Sequence, residues 1–406
     1  MARRPEVRIG FPRVLNLYSH APFFLAYFQS LGLRAENLVF SDYTSDELYR
    51  EGAKRGSIDP CFPSKIGIPH VHNLLHHKHS AERPLHYLFF PMVDSFPSPL
   101  KGAQDCKACP TVVNSTESVH AAFVKEGDLF ADRGIVFKKT FLKLDKPQLA
   151  ARQLFLDWKD ELGLTEEESQ RAVVQGLAAL ADYDAARRRE ARAVIDQLEA
   201  EDRIGVVVLA RPYHNDPGLN HEILDELQKL GYPVFTQDCL PTDEDFLERL
   251  FGDEVRQGTL EHPLSVQDVW KNSYSENTNR KVWGAKVTAR HPNLVALELS
   301  SFKCGHDAPI YSVIEEIIER SGTPYFCFKD IDENKPTGSI KIRIQTIAYF
   351  LSRYREQLVA RRRKRDALET ELAALEERLR QDRDLVARPT PGRLVPDPAL
   401  GLPLGL

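Results

Sequence analysis

Apolar residues fall along the chain in short bursts separated by stretches of helical period. Val7–Gly10 reads as a buried strand leading into a turn at Pro12-Arg13. Asn16–Leu33 then carries Phe23, Phe24, Tyr27, Phe28 and Leu31 at helical steps, stopping at Gly32. Leu38–Phe40 and Tyr87–Pro91 repeat the strand signal. Ser45–Gly52 predicts a short helix, with Ser45 as its cap and acids in its first turn. Cys61-Phe-Pro precedes an expected helix over Ile66–His77, and Cys109-Pro110 stands where another loop passes into a helix. Strands alternating with helices predict a parallel, doubly wound sheet.

Leu144–Ala200 has another texture: rich in Ala, Glu and Arg, helical throughout, with no strand signal. Beyond it Ile204–Ala210 is a Val- and Ile-rich run suited to a strand covered on both faces. Asn220–Leu230 is an amphipathic helix ended by Gly231, and Pro233–Thr236, Ala296–Ser300 and Pro324–Phe328 are further strands, with a helix over Ile310–Glu319. From Thr346 to Val386 the pattern is again helical, with Leu368, Leu372, Leu375 and Leu379 in a stripe and Arg361-Arg-Arg-Lys-Arg365 read as a solvated face. The expected fold is therefore α/β: two doubly wound, flavodoxin- or Rossmann-like lobes (1–143 and 203–345), a helical connector (144–202), a long helical segment (346–388) and a disordered, proline-rich tail (389–406).

Composition narrows the class. In 406 residues, 42% hydrophobic and 28% charged content suits a globular chain with a sizeable core. A net charge of −5 offers no overall basic field for nucleic acid, and no apolar run is long enough to span a membrane. The opening residues do not read as a signal peptide, so a reducing cytoplasm is expected and the six cysteines read as ligands, catalytic groups or core residues rather than disulfides. No GxxxxGK[ST] or GxGxxG stretch is present, so ATP or NAD is not expected by those routes, and neither GxSxG nor HExxH occurs.

Candidate chemistry centres on cysteine. Cys106-Lys-Ala-Cys109 forms the one CxxC pair, with no second pair to complete a zinc ribbon, which leaves redox, metal-binding and accidental readings open. Cys61 and Cys109 each precede a helix start, and Cys304-Gly305 follows a buried strand. Loops at the carboxyl ends of such strands gather in one crevice, and helix N-termini lower thiol pKa, so three thiolates there suit an iron–sulfur cluster with one open iron. The bland reading keeps them as small buried hydrophobes. Cys239 and Cys327 read as structural. His72 and His76 share an i, i+4 spacing but lack a neighbouring carboxylate. Arg211-Pro-Tyr-His214-Asn-Asp216 follows a strand, and Arg211 and His214 are candidates to bind an anion or relay a proton; the competing reading is a turn in which Asn215 or Asp216 caps the next helix.

Five segments carry a resemblance: Ile9-Gly-Phe-Pro-Arg13, Cys61-Phe-Pro-Ser-Lys65, Cys109-Pro110, Ala210-Arg-Pro-Tyr-His214-Asn-Asp-Pro217 with Asn220-His221, and Ser301-Phe-Lys-Cys-Gly-His-Asp-Ala308. In this order and spacing the chain resembles the activase-related proteins of the 2-hydroxyacyl-CoA dehydratase system, akin to the dehydratase subunits themselves. The resemblance implies an oxygen-sensitive [4Fe–4S] protein held by Cys61, Cys109 and Cys304, working in low-potential electron transfer or radical dehydration of an acyl-CoA. It would act as a dehydratase-like lyase or an activator-linked reductase component. It also implies an ATP-dependent activase subunit as partner, because the ATPase modules of large members are missing here, and pairing with a similar subunit. Met92 stands where a further cysteine would be expected, which disfavours a double cluster; Cys106 is the one available substitute. Two other readings stand beside it: a non-catalytic scaffold for the activase, and a structural zinc protein using the CxxC pair.

Overall fold

The computed structural model describes residues 4–56, 61–301, 304–331 and 337–386. The chain divides into two compact units, 1–355 and 356–406. The first unit holds two parallel four-stranded sheets built to one plan. The first sheet takes β1 (Ile9–Phe11), β2 (Leu38–Phe40), β3 (Tyr87–Phe89) and β5 (Val136–Lys138), with β4 (Met92–Ser95) and β6 (Phe141–Lys143) forming a parallel pair of their own. The second takes β7 (Gly205–Leu209), β8 (Val234–Thr236), β9 (Leu294–Leu299) and β10 (Tyr325–Phe328). The orders are β2-β1-β3-β5 and β8-β7-β9-β10, so each sheet reverses direction beside its first strand: Ile9 pairs with both Leu38 and Tyr87, and Val206 with both Val234 and Val295. That reversal opens a crevice at the strands' carboxyl ends. The fold is the doubly wound α/β architecture that the strand–helix alternation predicts.

The helices of the first lobe are α1 (Leu17–Ser30), α2 (Asp46–Gly52), α3 (Phe62–Lys65), α4 (Gly67–Asn73) and α5 (Pro110–Val124). Ser45 caps α2 as its sequence predicts, its Oγ accepting from Leu48 N at 3.2 Å. The helix expected over Ile66–His77 is instead α3, α4 and a π-helical turn over Leu74–Lys78. Between the sheets run α6 (Pro147–Leu162) and the 35-residue α7 (Glu166–Ala200). A capping box starts α7: Thr165 Oγ1 accepts from Glu168 N at 3.2 Å and Glu168 Oε2 from Thr165 N at 3.0 Å. Arg4 forks onto the same Glu168 carboxylate at 3.0 Å through each terminal nitrogen. Further along, Gly176 lets α7 sit against α1, since a Cβ there would meet Phe23 at 2.8 Å. At its far end Ile195 and Leu198 enter the core of the second lobe.

The second lobe adds α8 (Ile223–Lys229), α9 (Glu244–Arg256), α10 (Glu276–Arg290) and α11 (Tyr311–Ser321). Helix α8 begins later than the expected Asn220, because His221 and Glu222 take left-handed backbone angles (φ 52° and 60°). Finally α12 (Thr337–Val386) starts earlier than the expected Thr346, with its residues up to Arg355 in the first unit. Tyr354 and Arg355 hold that part, Tyr354 OH donating to Pro292 O at 3.2 Å and Arg355 Nε to Asp202 O at 2.7 Å. In the second unit Leu368, Leu372, Leu375 and Leu379 are exposed, as are most of Arg361–Arg365. The proline-rich tail 389–406 lies outside the described residues. No described helix is long and apolar enough to cross a membrane.

Candidate functional site

The crevice of the second sheet lies where β7 and β9 end side by side, and a buried charge network fills it. Arg211 leaves β7 and is 3% exposed; its Nε and Nη2 donate to Asp307 Oδ1 at 3.2 and 2.7 Å, and Nη2 also to Thr278 Oγ1 at 3.2 Å. Asp307 Oδ2 accepts from Ser300 Oγ at 2.7 Å and lies 3.1 Å from Lys281 Nζ, which in turn pairs with Glu298 at 2.7 Å. Tyr325 OH donates to Glu298, and Tyr311 OH to Ser300 Oγ at 2.8 Å. Burial opposes the charges of Arg211, Lys281 and Asp307, yet the pairing wins: Arg211 and Lys281 are held above their ordinary pKa, and Asp307 well below the carboxylate range by Arg211 and Lys281. The buried Nη1 of Arg211 has no hydrogen-bond partner among the described residues.

Pro212–Asn215 forms a 3₁₀ turn that fixes the neighbours of Arg211. His214 Nδ1 accepts from Arg211 N at 3.2 Å, so the ring's proton belongs on Nε2. Burial drops its pKa to about 3, so His214 is neutral here. Asp216 does not cap α8. Its Oδ1 accepts from Gly218 N and its Oδ2 from Thr44 Oγ1 at 2.9 Å and from Tyr18 OH, which ties the second lobe to the first. Thr44 Oγ1 meets His70 Nε2 at 2.9 Å and Ser41 Oγ meets His70 Nδ1 at 2.7 Å, anchoring α4 to this seam. The lobes approach too closely there for any side chain on Gly218, whose Cβ would lie 2.4 Å from Thr44 O.

The three candidate cysteines arrive by different routes. Cys61 precedes the first residue of α3 and Cys109 that of α5, as the sequence predicts, and the two helices are joined by Ser64 Oγ and Ser115 Oγ at 2.5 Å. Cys304 lies in the turn after β9, where Ala308 N donates to its carbonyl. Tyr213 is buried within electrostatic reach of both Cys61 and Cys304, and Cys109 packs on the apolar cluster that contains Tyr213. The structure therefore brings Cys304 beside Arg211, Cys61 beside Tyr213, and Cys109 onto the same cluster. Cys304 departs from the thiolate expected of it: burial and then Asp307 raise its pKa, against the pull of Arg211.

The remaining cysteines stand elsewhere. Burial and the Glu276 carboxylate push Cys106 up to about 11. Cys239 donates to Thr236 O at 3.0 Å and packs on the second core, and Cys327 is on β10. His72 and His76 stack ring on ring at 4.1 Å. Among the described residues no group of three or more His, Cys, Asp and Glu stands close enough to hold a metal ion. For a [4Fe–4S] group the fit is one of donor chemistry: thiols at two helix starts and after a strand end, with the buried Arg211 guanidinium, whose Nη1 has no hydrogen-bond partner among the described residues, in the same crevice to meet negative charge.

Reading the sequence alone missed Lys281, Glu298, Ser300 and Thr278. Only Glu298 left a signal, as the single acid in the otherwise apolar run Leu294–Leu299, every residue of which is buried. Residues 8–240 match the family described as the CoA enzyme activase uncharacterised domain. No curated protein matches the chain.

Proposed function

From the premise that the chain belongs to the CoA enzyme activase-related family, we propose that it is a cytoplasmic iron–sulfur protein of the 2-hydroxyacyl-CoA dehydratase and activase system. It would bind one [4Fe–4S] cluster through Cys61, Cys109 and Cys304, receive electrons from an ATP-dependent activase partner and serve the dehydration of an acyl-CoA. The observation that supports this reading is that Cys61 and Cys109 stand just before α3 and α5, which Ser64 and Ser115 join, while the carbonyl of Cys304 accepts from the amide of Asp307, the partner of buried Arg211. A bound cluster supplies a low-potential one-electron carrier with an open iron.

The chain's own groups have separable tasks. Asp307 and Thr278 hold the Arg211 guanidinium in place, leaving Nη1 as a donor for negative charge beside Cys304. Tyr213 keeps its proton, since burial raises its pKa well above the ordinary value, so its hydroxyl acts as a donor. His214, neutral and bonded to the Arg211 amide, orients the turn and adds no charge. Among the described residues the three cysteines do not form a closed metal-ion site as they stand, so one cluster on all three would require them to draw closer together.

The test is iron and acid-labile sulfide content, with an electron paramagnetic resonance spectrum, on protein purified without oxygen. About four irons per chain are expected, lost in Cys61→Ala, Cys109→Ala and Cys304→Ala and retained in Cys327→Ala. An iron-free protein after anaerobic reconstitution overturns the reading and leaves a scaffold for the activase.

A further inference from the structure

A second cleft, of about 410 Å³, lies between the lobes and is lined by α1, α7, the loops after β4 and β6, and the start of α10. That volume is within the range of small-molecule sites, roughly 300–1,000 Å³. Its walls are mixed. Leu177 and Leu180 of α7 and the His20–Phe96 pair, stacked at 4.4 Å, supply apolar surface. His20 is neutral: burial takes its pKa to about 4, and its Nδ1 is held by Ser19 Oγ at 2.7 Å.

The charged groups of the cleft are not equally satisfied. Arg280 is clamped by Glu276 at 2.6 Å and Asp238 at 3.2 Å, so those three charges answer one another. Asp184 has Arg187 at 3.5 Å, and Asp145 accepts from Ser95 Oγ. Among the described residues Arg188 has neither a hydrogen bond nor an ion pair within 4 Å, and the Nε atoms of both Arg187 and Arg188 are buried without a partner. A half-buried guanidinium in that state loses solvation that no direct ion pair among the described residues restores. Burial lowers its pKa, with Asp184 only partly opposing.

We propose that this cleft binds a small amphiphilic carboxylate, its charged end on Arg188 and its aliphatic body against Leu177, Leu180 and the Phe96–His20 stack. Arg188 supplies a positive charge that no ion pair among the described residues answers, and the apolar wall selects against a bare inorganic anion. The site is distinct from Cys61, Cys109 and Cys304 and does not depend on their holding a cluster.

The probe is hexanoate, titrated calorimetrically into the full chain at pH 7, with inorganic phosphate as the control. Saturable binding is expected for the wild type and about tenfold weaker binding for Arg188→Gln, the loss that one charge-assisted contact brings. Ala181→Trp, on an exposed position lining the cleft, is expected to fill it and abolish binding while the thermal midpoint of the unliganded chain stays put. No saturable binding of hexanoate by the wild type overturns the proposal. So does phosphate binding as tightly as hexanoate, or full affinity in both variants.

Discussion

The two lobes share one strand order and each has an apolar core, but the second also buries a set of charges at its crevice. The first is aromatic: Phe28 meets Trp158 edge to face at 5.0 Å, Phe89 meets Phe24 at 5.5 Å, and Phe11 stacks on Phe40 at 5.2 Å. At the corresponding crevice the second lobe buries Arg211, Lys281, Glu298 and Asp307, each at most 3% exposed. Aromatic packing stabilises by removing apolar area from water and by ring geometry. Buried ion pairs do little of that, since desolvation roughly cancels their attraction and a hydrophobic replacement is often as stable. One topology thus serves two ends: the first lobe is built to be firm, and the second accepts an electrostatic cost at the place where doubly wound sheets carry their sites.

The largest test of that contrast pairs one residue from each centre. Trp158→Ala and Asp307→Ala are each expected to cost about 3–5 kcal/mol in urea unfolding, the first by leaving a cavity, the second by leaving the Arg211 guanidinium buried without its carboxylate. Their chemical effects should differ. Asp307 raises the Cys304 pKa and Arg211 lowers it, so Asp307→Asn, which keeps the side-chain shape, is expected to speed alkylation of Cys304 near pH 8. Trp158→Ala should leave that rate alone. Equal rates in both variants would mean that the charge network does not govern the thiol.

Acid provides the next test and acts through buried histidines in both lobes. His20 and His70 in the first titrate near 4 and His214 in the second near 3, all lowered by burial. In the unfolded chain each regains an ordinary value near 6.5. Between pH 6.5 and 4 the unfolded state therefore binds more protons, and stability falls as pH falls. For His70, one step from Asp216 across the lobe seam, the loss is about 2 kcal/mol by pH 5. His70→Gln should flatten the difference between urea midpoints at pH 7 and pH 5 by that amount; an unchanged difference would place the acid sensitivity elsewhere.

These contrasts also mark how far the sequence could be read. Local signals were sufficient where periodicity and caps act within one element: Ser45 capping α2, Cys61 and Cys109 leading into α3 and α5, and the Ile204–Ala210 run becoming the central β7. They were insufficient where a residue's meaning comes from a partner far along the chain. Asp216 looked like a helix cap because Asp favours that role locally, but Thr44 and Tyr18 claim it from the other lobe. Lys281 has its partners, Glu298 and Asp307, on β9 and in the loop beyond it, a relation that no helical spacing on α10 reveals. The Arg187–Arg188 cleft was hidden for the same reason, since its walls come from both lobes.

The smallest expected effect falls on α7, the element that the two lobes share. Its start is fastened three times, by the Thr165 hydroxyl on the Glu168 amide, the Glu168 carboxylate on the Thr165 amide, and Arg4 on Glu168. Thr165→Ala removes the first of these alone and should cost about 1 kcal/mol. Most of the helix's stability comes instead from burying Ala172, Val173 and Leu180 in the first lobe's core and Ile195 and Leu198 in the second's. Cap and core can be separated by hydrogen exchange: Thr165→Ala should raise exchange in the first turn of α7, Glu166–Gln170, and leave protection around Ile195 unchanged. If protection at Ile195 falls as well, α7 transmits strain from one lobe to the other as a single rod, and the contrast between a firm lobe and a charged one would have to be redrawn as one cooperative unit.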